Sequence, residues 1–178
     1  MSNTKDVRAV LQKFQDGYIS RDMSQLDEFM NLFAKEAELI GIGASVRGGN
    51  EWFEGVDSIR EIIESDWTYW GEVTIGVEGA RITIKGDVAW LSTSGTLAQT
   101  SVVDEAFPFY VNQMKEFLEN EELTPAARMM EATHFGMRRL WERHKGEGHK
   151  WPFVFTAVLV REEEGWRFHQ VQFAMPVD

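Results

Sequence analysis

The chain has 178 residues, room for one domain of ordinary size. Hydrophobic residues make up 43% and charged residues 26%, with 7 Trp and 12 Phe, a composition that calls for a large core or a wide apolar pocket and argues against disorder. A formal net charge of −11 disfavours nucleic-acid phosphates, and the absence of cysteine excludes disulfides, thiolate metal sites and cysteine nucleophiles.

Val7, Val10, Leu11, Phe14 and Tyr18 recur at helical spacing, which predicts an amphipathic helix over residues 4–20. Ser24 with Asp27 three residues on resembles a helix start, and Leu26, Phe29, Met30 and Phe33 form a second, shorter stripe. A strand is expected over residues 37–42, followed by a glycine-rich loop or hairpin over 41–49. Asp57 or Ser58 can cap a third helix that buries Ile59, Ile62 and Ile63. The run Asp66-Trp67-Thr68-Tyr69-Trp70-Gly71 breaks its pattern. From there the period is two: Val73, Ile75 and Val77 alternate, then Ile82 and Ile84, and a long strand is expected over 88–103 after the turn Lys85-Gly86-Asp87.

Pro108 reads as the first residue of a helix carrying Tyr110, Val111, Met114, Phe117 and Leu118. Thr124-Pro125 opens another, with Ala126, Met130, Met137 and Trp141 as its stripe and Gly146 and Gly148 at its end. Two strands follow, over 153–161 and 166–175, joined by a charged turn. Helices first and strands after them predict an α+β fold with helices on one face of an antiparallel sheet. Residues 1–178 are read as a single domain with a helical insertion at about 104–150. The first ten residues are polar and mixed in charge, and no apolar run is long enough to span a bilayer, so a cytoplasmic protein without a membrane partner is expected.

No dinucleotide fingerprint, phosphate loop, zinc-protease motif or nucleophile elbow is present. Glu131 and His134 have the spacing of a di-iron helix, but such sites need two copies of that motif and further carboxylates, so no metal and no cofactor are expected. Arg138, Arg139, Arg143, Lys145 and Lys150 make a local basic cluster, read first as a charged helix face and second as a hold for an anion.

The candidate site residues are aromatic and polar. Tyr18 lies on the apolar stripe of the first helix, where its hydroxyl either enters a pocket as a donor or meets a backbone carbonyl in the core. Trp67, Tyr69 and Trp70, with Trp52 at the rim, either line a pocket or fill the same space by packing. Asp66, beside these indoles, is a candidate base or a solvated helix end. Strict alternation puts Gln170 and Gln172 on one face of the last strand with Trp166 and Phe168. Arg167, His169, Val171 and Phe173 then face the other way. Two glutamines among aromatics fit a pocket that needs a few placed polar groups, or a sheet surface covered by a second subunit.

The series Phe14…Tyr18…Asp22…Leu26…Phe29…Phe33-Ala34…Ala37-Glu38-Leu39 is followed by Gly55-Val56…Ile59 and by Gly86-Asp87-Val88-Ala89-Trp90. The chain closes on Gly165-Trp166-Arg167-Phe168-His169-Gln170-Val171-Gln172-Phe173-Ala174. Over residues 5–100 and 151–176 this resembles SnoaL-like domains of the nuclear transport factor two-like superfamily. The resemblance implies a cone, in which a strongly bent antiparallel sheet wraps the N-terminal helices and leaves a pocket at its open end. It also implies a homodimer. Members of the superfamily include ketosteroid isomerases, polyketide cyclases, dehydratases, epoxide hydrolases, transport factors and kinase association domains. The isomerase aspartate on the first strand would fall near Ile40-Gly41-Ile42, which has no carboxylate. Where many relatives place two inward histidines on the last strand, this chain has Gln170 and Gln172, which can orient a ligand but cannot shuttle a proton near neutral pH.

Three functional expectations follow. The first is binding of a small apolar molecule in the cone, with Trp52, Trp67, Tyr69, Trp70, Trp90, Gln170 and Gln172 in contact with it. The second is a cofactor-free isomerase, cyclase or dehydratase, in which Tyr18 donates a hydrogen bond and Asp66 or Asp104 moves the proton. The third is a dimeric interaction module whose insertion, with Met114, Met129, Met130 and Met137, forms an adaptable contact surface.

Overall fold

The computed structural model describes residues 4–44, 47, 51–98 and 103–175, with side chains there except at 69, 103–106, 142 and 143. Its chain divides into two compact units, Met1–Leu97 with Lys150–Asp178 and Ala98–His149.

In the first unit, helix α1 (Thr4–Ser20) follows the apolar stripe read from the sequence, and Val7, Leu11, Phe14 and Tyr18 are all buried. Gln15 joins that stripe and is the one polar side chain buried among the described residues. A short 3-10 turn, Met23–Gln25, leads into helix α2 (Leu26–Met30). Its cap is Asp22, whose carboxylate accepts from the Ser24 backbone and hydroxyl, rather than Ser24 itself. Helix α3 (Val56–Ser65) buries Ile59 and Ile63. Neither Asp57 nor Ser58 caps it. The cap is Gly55 at φ +83°, a conformation that a side chain would disfavour.

Seven strands form one curved sheet: β1 (Phe33–Ile40), β2 (Trp52–Glu54), β3 (Glu72–Ile75), β4 (Arg81–Lys85), β5 (Val88–Ala98), β6 (Lys150–Glu162) and β7 (Gly165–Ala174). The order is β2-β1-β7-β6-β5-β3, and β4 also pairs with β5. The β1–β2, β4–β5 and β6–β7 pairs are antiparallel, but β1 runs parallel to β7. That parallel pair departs from the expected all-antiparallel sheet. It joins the first strand to the last, so no hairpin dictates its direction. Strand β1 begins four residues earlier than expected, because Phe33 and Ala34 turn their side chains into the core.

Phe14 sits at the centre of that core. Its ring meets those of Tyr18 at 5.0 Å, Phe168 at 5.2 Å, and Phe29 and Phe155 at 5.4 Å. Each fully buried aromatic of this kind contributes about 1.5–3 kcal/mol through removal of apolar surface from water. Gln15 ties α1 to the sheet: its amide donates to the Val73 carbonyl at 3.0 Å and accepts from the Ile75 N–H. A buried backbone donor and acceptor of β3 are thereby both satisfied.

Between β6 and β7 the register slips by one residue. Leu159 pairs with Phe168, but the next partner of Val158 is Gln170, so His169 is the extra residue of a β-bulge. Trp166 and Phe168 are buried before the bulge, and Val171 and Phe173 after it.

The second unit holds helices α4 (Val103–Glu119) and α5 (Pro125–Arg143). Pro108 lies within α4 rather than at its start. The α5 start is as read: Thr124 accepts from the Ala127 N–H at 3.3 Å and Pro125 follows. The two helices pack through Tyr110, Phe117 and Phe135, whose rings lie 5.6–6.1 Å apart, and through Met114 against Gly136.

Candidate functional site

Two residues singled out separately in the sequence meet in the structure. The Tyr18 hydroxyl, in the last turn of α1, donates to Asp66 Oδ2 at 2.9 Å. Asp66 follows α3 directly and opens a π-helical turn, Asp66–Trp70. Single π turns of this kind recur at functional positions because the widened turn re-aims side chains. Here Trp67 and Trp70 both reach the Tyr18 ring edge-on, each with centroids 6.5 Å away. Phe173 closes the ring of neighbours, 6.3 Å from Tyr18 and 5.5 Å from Trp70.

Burial grades across this group. Tyr18 is 1% exposed and Trp67 is 5% exposed, whereas Asp66 and Trp70 are half-buried. The dyad therefore runs from the sealed aromatic interior toward an edge that solvent reaches. Burial pushes the Tyr18 pKa well above the usual tyrosine value, and the neighbouring Asp66 charge and the hydrogen bond to it push it further. Tyr18 is thus a neutral phenol at physiological pH, a donor that retains acceptor lone pairs and cannot act as a phenolate base.

The indole N–H groups of Trp67 and Trp52 are buried without a hydrogen-bond partner. An unsatisfied buried donor costs about 1–3 kcal/mol, so each is a place where an acceptor would be welcome. Trp67 also borders an open cleft of about 770 Å³ between α1, α2 and the β6–β7 turn, lined in part by Val10, Lys13, Leu32 and Trp166.

Other candidates are placed differently. Gln170 and Gln172 do not share a face with Trp166 and Phe168, because the bulge at His169 reverses the alternation after Phe168. Gln170 turns outward and donates to Glu38 Oε2 at 3.1 Å, and Glu38 pairs with Arg47, which also holds Glu54. Gln172 is exposed. The inward positions are Val171 and Phe173, both of which strict alternation puts on the face opposite Trp166 and Phe168. Trp90 is 46% exposed, because its neighbours Ala89 and Leu91 take the inward positions of β5. Trp52 stays half-buried on β2, opposite Ile40. The side chains of Tyr69 and Asp104 lie outside the described residues.

Gln15 and Phe173 were not singled out. Gln15 was legible in principle, four residues after Leu11 on the buried stripe. Phe173 was not, since the bulge that turns it inward has no marker such as glycine at His169. Among the described residues, no group of three or more His, Asp or Glu is arranged to hold a metal ion, and no helix is long and apolar enough to cross a membrane.

Comparison with known proteins agrees with this architecture. The model of the SnoaL-like domain matches residues 7–107. No curated protein sequence matches the chain. Among solved structures, a nuclear transport factor two-like protein of unknown function from Pseudomonas putida superposes with a TM-score of 0.60 at 10% identity, over 100% of this chain and 91% of that one. A candidate dehydratase of the same family from Streptomyces avermitilis gives 0.60 at 9% identity, over 98% and 96%. A candidate scytalone dehydratase from Novosphingobium aromaticivorans gives 0.58 at 9% identity, over 98% and 84%. At these identities the likeness is one of fold. With the family model spanning more than half of the sequence, the chain belongs to the SnoaL-like domain family, in the nuclear transport factor two-like fold.

Proposed function

We propose that this protein binds a small molecule with an apolar, ring-sized body and one hydrogen-bonding group, held at the Tyr18–Asp66 end of the aromatic interior. The observation that carries the reading is the 2.9 Å hydrogen bond between Tyr18 and a half-buried carboxylate, set among Trp67, Trp70 and Phe173. Sites for small molecules combine mostly apolar walls with a few polar groups that fix orientation, and this cluster has that composition. Tyr18 offers a ligand its acceptor lone pairs while it donates to Asp66, and a ligand carbonyl can instead take over the phenolic proton. The unpartnered Trp67 N–H supplies a further donor at the same cluster.

A second reading rests on the same dyad. A carbonyl that takes over the Tyr18 hydrogen bond separates the hydroxyl from Asp66, leaving the carboxylate to accept a proton from the carbon beside that carbonyl. Donor and base would then act on one substrate without a cofactor, the arrangement that isomerisation, cyclisation and dehydration require. The homodimer expected of such a domain belongs to the same proposal, since Val88, Trp90 and Val154 leave apolar surface exposed on the outer side of the sheet.

The test is a thermal-shift and tryptophan-fluorescence screen with apolar ketones, phenols and aromatic acids, run on the wild type, Y18F and D66N. A ligand present at a hundred times its Kd stabilises by about 2.7 kcal/mol. The wild type should respond to at least one class, with Y18F losing most of that response. No response from any class, or equal affinity in Y18F, would overturn the binding reading. Binding retained in D66N with turnover lost would favour the enzyme over the passive binder.

A further inference from the structure

Trp67 stands between two spaces. On one side its ring meets Tyr18, and on the other it borders the cleft of about 770 Å³ between α1, α2 and the β6–β7 turn. That volume lies within the usual range for a small-molecule site. Phe29, Leu32 and Trp166 form the apolar wall of the cleft, each no more than 9% exposed. The Trp67 indole N–H is buried without a hydrogen-bond partner. Its direction follows from Gly17. Cζ2, two bonds from Nε1, is the indole atom closest to the place a Gly17 Cβ would take, at 3.3 Å. The N–H side of the ring therefore faces α1 at Gly17, and Gly17 borders the cleft.

The acids and the cations of the cleft are not equally matched. Asp16 accepts from Gln12 at 2.8 Å, and Glu164 accepts from Arg167. Asp6 and Glu28 lie in the first turns of α1 and α2, where a helix end favours negative charge. Two cations have no such counterpart. Among the described residues, neither the Lys13 ammonium nor the Arg161 guanidinium has an ion pair or a side-chain hydrogen bond. Lys13 is one turn before Gly17 on the same face of α1, so it shares that stretch of the cleft with Trp67.

We propose that this cleft is a second binding site, for a small apolar carboxylic acid. The carboxylate accepts from the Trp67 N–H and from Lys13, and the hydrocarbon body lies against Phe29, Leu32 and Trp166. One neutral donor and one ammonium match a single negative charge, whereas a phosphate monoester brings about −1.5 to −2 and calls for more cations. Binding gives the buried indole the acceptor it lacks. The site is separate from the Tyr18–Asp66 end, and neither reading needs the other. An N–H serves one acceptor at a time, so an acid in the cleft withdraws Trp67 from a ligand beside Tyr18.

The probe is decanoate, with decanol as its neutral counterpart, added to the full chain. Affinity is read by calorimetry, and the indole N–H groups are followed by NMR, in which the resonance missing from W67F is that of Trp67. Decanoate should bind the wild type and move the Trp67 resonance, and decanol should bind at least about tenfold more weakly. K13E should weaken decanoate about tenfold and W67F about fivefold. K85E, at an exposed lysine outside the cleft, and Y18F should leave it unchanged. Lys13 is exposed, so K13E keeps the test intact even where W67F folds poorly. No decanoate binding, equal affinity for decanol, an equal loss in K85E, or an unmoved Trp67 resonance would overturn the inference. Affinity lost in Y18F but kept in K13E would also overturn it, by placing the acid in the aromatic interior. A failure of ketones and phenols to bind beside Tyr18 leaves the decanoate result standing, so the two readings fail separately.

Discussion

Replacing Tyr18 by phenylalanine removes one hydroxyl and keeps the ring that packs against Phe14, Trp67, Trp70 and Phe173. What is lost is the hydrogen bond to Asp66. A hydrogen bond to a charged group is worth about 1.5–3 kcal/mol, and Asp66 is half-buried and regains water, so about 1–2 kcal/mol is expected at pH 7. For a chain of this size that lowers Tm by about 3–6 °C. The pH dependence is the sharper consequence. The native state holds the Tyr18 proton well above the ordinary tyrosine value, whereas the unfolded chain releases it near pH 10. Above that pH the native state binds more protons than the unfolded one, and stability falls by up to about 1.4 kcal/mol per pH unit. The Tyr18 contribution is therefore fully present below about pH 10 and lost as pH rises toward the native pKa. Y18F has no such titration. Urea midpoints measured at pH 7, 9, 10.5 and 11.5 should show a constant advantage of the wild type up to about pH 9.5, then convergence and reversal. Parallel curves across the whole range would refute the assignment of Tyr18 as a buried neutral donor.

Other perturbations follow from the same geometry. Gln15→Leu leaves the Val73 carbonyl and the Ile75 N–H unsatisfied inside the fold, so a loss of about 2–4 kcal/mol is expected in denaturant titration. A Cβ at Gly17 would sit well inside van der Waals contact of the Phe29 ring and 3.3 Å from Trp67, so G17A should destabilise by about 1–3 kcal/mol despite alanine's better helix propensity. Thr124→Ala removes the α5 cap and should cost about 1 kcal/mol, read as helicity lost from the second unit. Q172A, on the outward side of β7, should leave ligand affinity unchanged where Y18F alters it, and equal effects would place the ligand outside the aromatic interior.

Much of the framework was legible because it is written in local chemistry. The α1 stripe names its own buried face, with Val7, Leu11, Phe14 and Tyr18 all on it. Thr124-Pro125 announces the start of α5, since a hydroxyl acceptor followed by a residue that needs no donor is what an open helix end requires. Helix α3 shows the limit of such signals. Asp57 and Ser58 have the right chemistry, but Gly55 takes the cap because the chain leaves β2 there in a left-handed turn. Pro108 misled for a related reason: it fits the first turn of a helix, yet α4 begins at Val103.

The site divides along the same line. Sequence alone determined that Tyr18 would be buried, because an apolar stripe at helical spacing must face the core whatever it packs on. It also marked Asp66 and its tryptophans as an interruption of α3. That Tyr18 and Asp66 touch, 48 positions apart in the chain, depends on how α1 and α3 lie beneath the sheet, and no local pattern encodes it. The β7 glutamines make the opposite case. Strict alternation put them inside, and one inserted residue at His169 turned them out and Phe173 in. A period of two carries no memory of phase across a bulge, so only the hydrogen-bond register of β6 against β7 decided which side chains meet the tyrosine.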